Sequence, residues 1–120
     1  MVRRKKGFER GDIISVDLNP TVGKEIRNDD DTGRPALVLS TQEFNNFGMV
    51  FIAPITHGGN AAKSSGMAVT LMGAGTKTSG AVVVNQCKMI DAVTRGAKYV
   101  ETVPDYIADE VIARLTAILE

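Results

Sequence analysis

Six apolar segments of strand length, four of them closed by Asn, Gly, Asp or Pro, constrain this chain more than any other feature. They are DIISVDL from Asp12, PALVLS from Pro35, GMVFIAPI from Gly48, MAVTLM from Met67, GAVVVNQCKMID from Gly80 and KYVETV from Lys98. Runs of this length between turn formers read as β-strands. In the first, Ile14, Val16 and Leu18 fall on one face and Ile13, Ser15 and Asp17 on the other, the alternation of a half-buried strand. PALVLS is apolar throughout and reads as a core strand, with Pro35 tolerated at its first position. GAVVVNQCKMID reads as one long strand with polar Asn85 and Gln86 set into it; such residues need partners.

Helical spacing is found in two places. TQEFNNF, with polar caps, predicts a helical turn or short helix between strands. From about Tyr106, the recurrence of Ile107, Val111, Leu115 and Ile118 predicts a terminal amphipathic helix, with Asp105 as its cap. HGGN with AAKSSG, and GAGTKTSG, read as mobile loops. Several short strands and one terminal helix point to a mainly β (α+β) fold, a small and strongly bent sheet or barrel. At 120 residues, with 43% hydrophobic and 23% charged residues, one domain spanning residues 1–120 is expected, residues 1–7 forming a flexible basic tail.

Charge excludes little. Lys plus Arg and Asp plus Glu both number 14, so no global positive field marks a nucleic-acid binder, and RRKK at Arg3–Lys6 reads as a solubilising tail. One cysteine, Cys87, cannot close an intramolecular disulfide, and no secretory leader pattern is present, so a cytoplasmic location is expected. No apolar run nears the roughly 18 residues of a membrane span.

The stretch KEIRNDDDTGRP, Lys24–Pro35, suggests a calcium loop. Its register fails, because with Gly33 at the sixth position the twelfth is Leu39, where a glutamate is needed. One histidine and one cysteine make no zinc site, and GAGTKTSG lacks the ending of a phosphate-binding loop, so neither metal nor cofactor is expected. What remains is a group of polar residues at strand ends: Glu25, Arg34, Thr56, His57, Asn85 and Gln86. Two readings stay open. Arg34 and Thr56 can hold a phosphate while Asn85 and Gln86 read base edges; equally, Arg34 can pair with Glu25 and the two amides can bridge strands.

ERGDIISVDLNPTVGKE, GRPALVLS, APITHGGN and VVVNQ, followed by the terminal helix, closely resemble in order and spacing the PemK/MazF family of toxin–antitoxin ribonucleases, in its PemK (Kid) and ChpB branch, over about residues 8 to 119. The resemblance implies an SH3-like barrel of the CcdB/PemK toxin type and a homodimer held inactive by a cognate antitoxin. It also implies metal-independent, sequence-specific cleavage of single-stranded RNA or mRNA by 2'-hydroxyl attack, which would block translation and growth. Carried over residue by residue, it implies Arg34, Thr56 and Glu25 as catalytic and Lys24, His57, Asn85 and Gln86 as RNA-binding. The residues assigned acid–base roles in PemK, a histidine, an arginine and an aspartate, read here as Lys24, Val83 and Asn85, although ChpB-like members also carry the asparagine. The Asp29–Asp31 run is an addition to the family's usual loop, and an electrostatic gate on RNA approach is expected of it. Two alternatives accompany this reading: a catalytically weak RNA-binding barrel, and a CcdB-like gyrase inhibitor. The latter type relies on a C-terminal tryptophan tip, and this chain has no tryptophan.

Overall fold

The computed structural model describes residues 7–26, 28, 33–57 and 67–120. The basic tail at Arg3–Lys6, the Asp29–Asp31 run and the AAKSSG loop, of which expectations were stated above, lie outside the described residues. Seven strands form the sheet: β1 (Asp12–Val16), β2 (Arg34–Val38), β3 (Val50–Thr56), β4 (Ala68–Thr70), β5 (Ala81–Val83), β6 (Lys88–Ile90) and β7 (Lys98–Thr102). Their order is β4-β5-β3-β2-β1-β7, with β6 also paired to β3. Every pairing is antiparallel. Among the described residues two α-helices accompany the sheet, α1 (Gln42–Asn45) and α2 (Asp105–Leu119).

Both faces of the central strands are covered, which explains why PALVLS is apolar throughout rather than alternating. Leu37 and Leu39 of that run join Ile13, Ile55, Val82 and Val84 in a cluster that α2 closes with Ile107 and Val111. Ala36 and Val38 face the other way, into a second cluster with Ile14, Val16, Leu18, Ile52 and Ile90. Strand side chains supply nearly all of this second cluster, so the sheet curls around it in a barrel-like manner. The half-buried reading of β1 is therefore corrected: Ile13 and Ile14 point to opposite faces and both are wholly buried. The helix covers the face that alternation alone assigned to solvent.

The single long strand expected over Gly80–Asp91 is also corrected. Ile55 pairs with Val82 and Ile52 with Lys88, so the partner chain uses three more residues than β3 over the same stretch. The excess is a 3-10 turn at Val84–Gln86. Opposite it lies Pro54, which lacks the N–H that an unbroken ladder would use. Val84 stays buried, while Asn85 is pushed out to solvent and Gln86 is left half-exposed. The polar pair inside an apolar run thus marks where the strand breaks.

Helix α2 begins at Asp105, with Pro104 rather than Asp105 in the cap position. Asp105 instead lies in the first turn, where a carboxylate suits the positive end of the helix dipole. Ile107 and Val111 are buried, whereas Ile118 is 45% exposed, so the apolar stripe leaves the core before the helix ends. The GAGTKTSG segment is tied down: the Glu101 carboxylate accepts from the backbone N–H of Lys77 (3.0 Å) and Thr78 (2.7 Å) and from the Thr78 hydroxyl (2.7 Å). Among the described residues no helix is long and apolar enough to cross a membrane.

Candidate functional site

A groove of about 410 Å³ runs between the segment following β1 and the 3-10 turn. One wall carries Leu18, Val22, Lys24, Glu25 and Ile26, the other Asn85, Gln86, Cys87 and Lys88, and Pro54 of β3 also lines it. Four of the polar residues singled out in the sequence, Lys24, Glu25, Asn85 and Gln86, are therefore brought together from positions about sixty residues apart. Lys88 is a groove cation that the sequence reading passed over. Its place two residues after the polar pair Asn85-Gln86 was the available signal; its ammonium donates to the Leu18 carbonyl at 3.4 Å.

Each wall residue is held in a distinct way. Glu25 closes its own turn, its carboxylate accepting from the Val22 N–H at 3.0 Å and its N–H donating to the Val22 carbonyl at 3.1 Å. Gln86 engages both ends of its amide with the opposite wall: Oε1 accepts from the Ile26 N–H at 3.1 Å and Nε2 donates to the Lys24 carbonyl at 3.0 Å. The open alternative in which the amides bridge neighbouring strands is replaced here by a bridge from turn to loop. Asn85 is exposed, and its side chain makes no hydrogen bond among the described residues. Burial pushes the Cys87 thiol up to about 11, so near neutrality it is protonated and a poor nucleophile.

Arg34 and Thr56 stand beside this groove rather than on its walls. Arg34 opens β2, pairs with Val16 across the sheet and donates from Nη1 to the Ile55 carbonyl at 3.2 Å. Ile55 lies between Pro54, which lines the groove, and Thr56, the last residue of β3. Glycines set both positions. Gly33 has φ +102°, and a Cβ there would lie 2.6 Å from the Val16 carbonyl oxygen, so the chain can re-enter the sheet before Arg34 only as glycine. Gly80, at φ +114°, crosses Thr56 so closely that a Cβ would sit 2.8 Å from the Thr56 carbonyl carbon. His57 follows Thr56 and is exposed.

Among the described residues no group of three His, Cys, Asp or Glu side chains is arranged to hold a metal ion. A second concavity, about 520 Å³, is lined by Asp17, Asn19, Met49, Met89, Ile90, Asp91, Thr94 and Arg95. Hydrogen bonds from the Asn28 side chain and the Asn19 N–H hold the Asp17 carboxyl below the usual carboxylate range, and those from the Thr94 N–H and hydroxyl do the same for Asp91. Two carboxylates against one guanidinium make this a poor cradle for phosphates. The groove, with Lys24 and Lys88 against Glu25, has the opposite balance.

Comparison with known proteins gives concordant results. A family described as the PemK-like, MazF-like toxin of type II toxin-antitoxin systems matches residues 9–119. The endoribonuclease toxin ChpB of Escherichia coli K12 is 44% identical over 117 residues, covering 98% of each chain. The endoribonuclease PemK of Escherichia coli is 42% identical over 120 residues, covering 99% of this chain and 87% of PemK. Among solved structures, MazF of Deinococcus radiodurans superposes with a TM-score of 0.81 at 28% identity, covering 92% of this chain and 94% of that one. The same organism's MazE–MazF complex is matched at a TM-score of 0.71 and 25% identity, over 92% and 94% of the two chains.

Proposed function

The chain belongs to the family of PemK-like, MazF-like toxins of type II toxin-antitoxin systems, and from that premise we propose that it is an endoribonuclease acting on single-stranded RNA. One observation carries the reading: Lys24, Glu25, Asn85, Gln86 and Lys88 converge on one groove, beside which Arg34 is tied to Ile55, the neighbour of Thr56. A groove with two ammonium groups and one carboxylate suits a phosphodiester backbone.

The chemistry follows from the substrate. RNA supplies its own nucleophile: the 2'-oxygen bonds to the adjacent phosphorus, the bond from phosphorus to the 5'-oxygen breaks, the 2'-hydroxyl loses a proton and the departing oxygen gains one. The products are a 2',3'-cyclic phosphate and a 5'-hydroxyl. Arg34 is assigned to the charge that develops on the phosphorane, where its guanidinium is worth most. Thr56 donates to a nonbridging oxygen, and Glu25 orients or accepts the proton of the 2'-hydroxyl. Lys24, His57 and Asn85 contact RNA, and Gln86 completes the wall on which it lies.

Val83 stands where PemK carries an arginine, and it is 4% exposed within β5, so no charge reaches the site from that position. Asn85 accepts and donates hydrogen bonds but does not take a proton as a carboxylate does. This departure favours a second reading, an RNA-binding barrel with weak catalysis, and sets the test. The purified protein is incubated with a long single-stranded RNA in EDTA and the ends are mapped. Cuts at a short recurrent sequence, leaving 5'-hydroxyl ends, are expected. Bound but uncut RNA would favour the second reading, and RNA neither bound nor cut would overturn both.

The proposal extends to assembly and place. Solved relatives in complex with an antitoxin support a protein antitoxin as partner. A homodimer and a cytoplasmic site of action, with inhibition of growth through loss of mRNA, complete the reading.

A further inference from the structure

The side-chain amide of Gln86 meets the loop on both sides of Glu25. Its Nε2 donates to the Lys24 carbonyl and its Oε1 accepts from the Ile26 N–H, at 3.0 and 3.1 Å. The N–H and C=O of a single residue in a neighbouring parallel strand would bond the flanking residues in the same way. The orientation of the amide is set by its partners, since a carbonyl only accepts and a backbone N–H only donates. Besides this pair, the loop is held near Glu25 only by its own turn to Val22 among the bonds described.

We propose that Gln86 is a positioning residue, a side-chain clasp that docks the Lys24–Ile26 loop onto the 3-10 turn and so sets the width of the groove and the place of Glu25. This rests on the endoribonuclease reading for its functional consequence, although not for the clasp itself. The side chain is specific to the task. Glutamate keeps the acceptor for Ile26 but cannot donate to Lys24, leucine keeps the volume and neither bond, and asparagine is one methylene short. The 3-10 break in the strand is what turns residue 86 toward the loop, sixty residues away in sequence.

The test joins a local readout to a kinetic one. In Gln86→Leu the Ile26 amide should exchange its hydrogen about tenfold faster or more, at an essentially unchanged melting temperature, and kcat should fall about tenfold, the size expected of one or two net hydrogen bonds. In Gln86→Glu the Ile26 amide should remain protected while kcat still falls. Against a Glu25→Ala background, Gln86→Leu should lower kcat less than about twofold, because the group it positions is already absent. A direct contact to RNA predicts instead a raised KM with Ile26 exchange unchanged, and that result, or losses that simply multiply, would overturn the clasp. If no variant and no wild-type protein cuts RNA, the enzymatic reading fails, and Ile26 exchange still decides whether Gln86 holds the loop.

Discussion

The guanidinium of Arg34 reaches across the sheet to the backbone carbonyl of Ile55, 3.2 Å away and 21 residues distant in sequence. This bond joins the first residue of β2 to the strand that ends at Thr56, so the proposed phosphate donor and the proposed hydroxyl donor are referenced to the same stretch of β3. The arginine is thereby oriented before substrate arrives, the condition under which an electrostatic donor is most effective.

Arg34→Ala should cut single-turnover cleavage by about 10²–10³, the usual loss for one such donor, while urea unfolding stays close to wild type. Arg34→Lys should recover little, because a point charge does not reproduce the forked geometry. Near-wild-type turnover in a folded Arg34→Ala protein would remove Arg34 from the site.

The glycine crossing gives a second prediction. Gly80→Ala places a Cβ against the Thr56 carbonyl at a φ of +114°, so β3 must shift at its last residue. Cleavage should fall several-fold or more, and the melting temperature should fall with it. At Gly73, also at positive φ, nothing lies within 4 Å of an added Cβ. Gly73→Ala therefore measures the backbone strain alone and should leave cleavage intact. Equal loss of cleavage in both variants would show that contact with Thr56 is irrelevant.

Glu101 supplies a pH dependence. Partial burial raises its pKa, but the hydrogen bonds from the Lys77 N–H and from the Thr78 hydroxyl and N–H outweigh this, and the net shift is downward. A carboxyl with a lowered folded-state pKa contributes stability that is present above its ordinary value and is lost as pH falls through the folded value. Glu101→Gln should therefore be less stable than wild type at neutral pH, and the difference should shrink under acid conditions. Urea midpoints at the two pH values measure it, and a gap of equal size at both would contradict the assignment.

Much of this architecture is legible in the sequence, and the exceptions share a cause. The central strands appear as apolar runs because both of their faces are covered, and α2 appears because Ile107 and Val111 recur at helical spacing above them. The break at Val84–Gln86 is hidden because Val82, Val83 and Val84 are equally apolar, and what ends β5 is the pairing with β3, a non-local matter. Burial of Ile13 is hidden for the same reason, since it depends on a helix more than ninety residues away. At the site, Arg34 and Thr56 are singled out by position at strand ends, with phosphate binding one of two open readings, and are given catalytic roles only by resemblance. The partners of Gln86 are invisible in sequence because backbone groups of Lys24 and Ile26 carry no side-chain signature.

Asn85 tests whether the turn is a dormant acid–base site. Asn85→Asp adds a carboxylate at an exposed groove position whose neighbour Val83 is buried and uncharged. Like charge facing phosphates should weaken RNA binding, more so at low salt, and the single-turnover rate should not rise. An increased rate would assign proton transfer to this turn.

The central claim is that RNA provides the nucleophile, and a substrate altered at one atom tests it most directly. Once a cut site is mapped, the same RNA is made with a 2'-deoxy nucleotide on the 5' side of the scissile phosphate and assayed in EDTA beside the unmodified strand. The account predicts that the modified strand binds the protein and stays intact at that position while the unmodified strand is cut to a 2',3'-cyclic phosphate and a 5'-hydroxyl. Cleavage of the deoxy-substituted strand at the same bond would show that water or a protein group attacks phosphorus, and would contradict it.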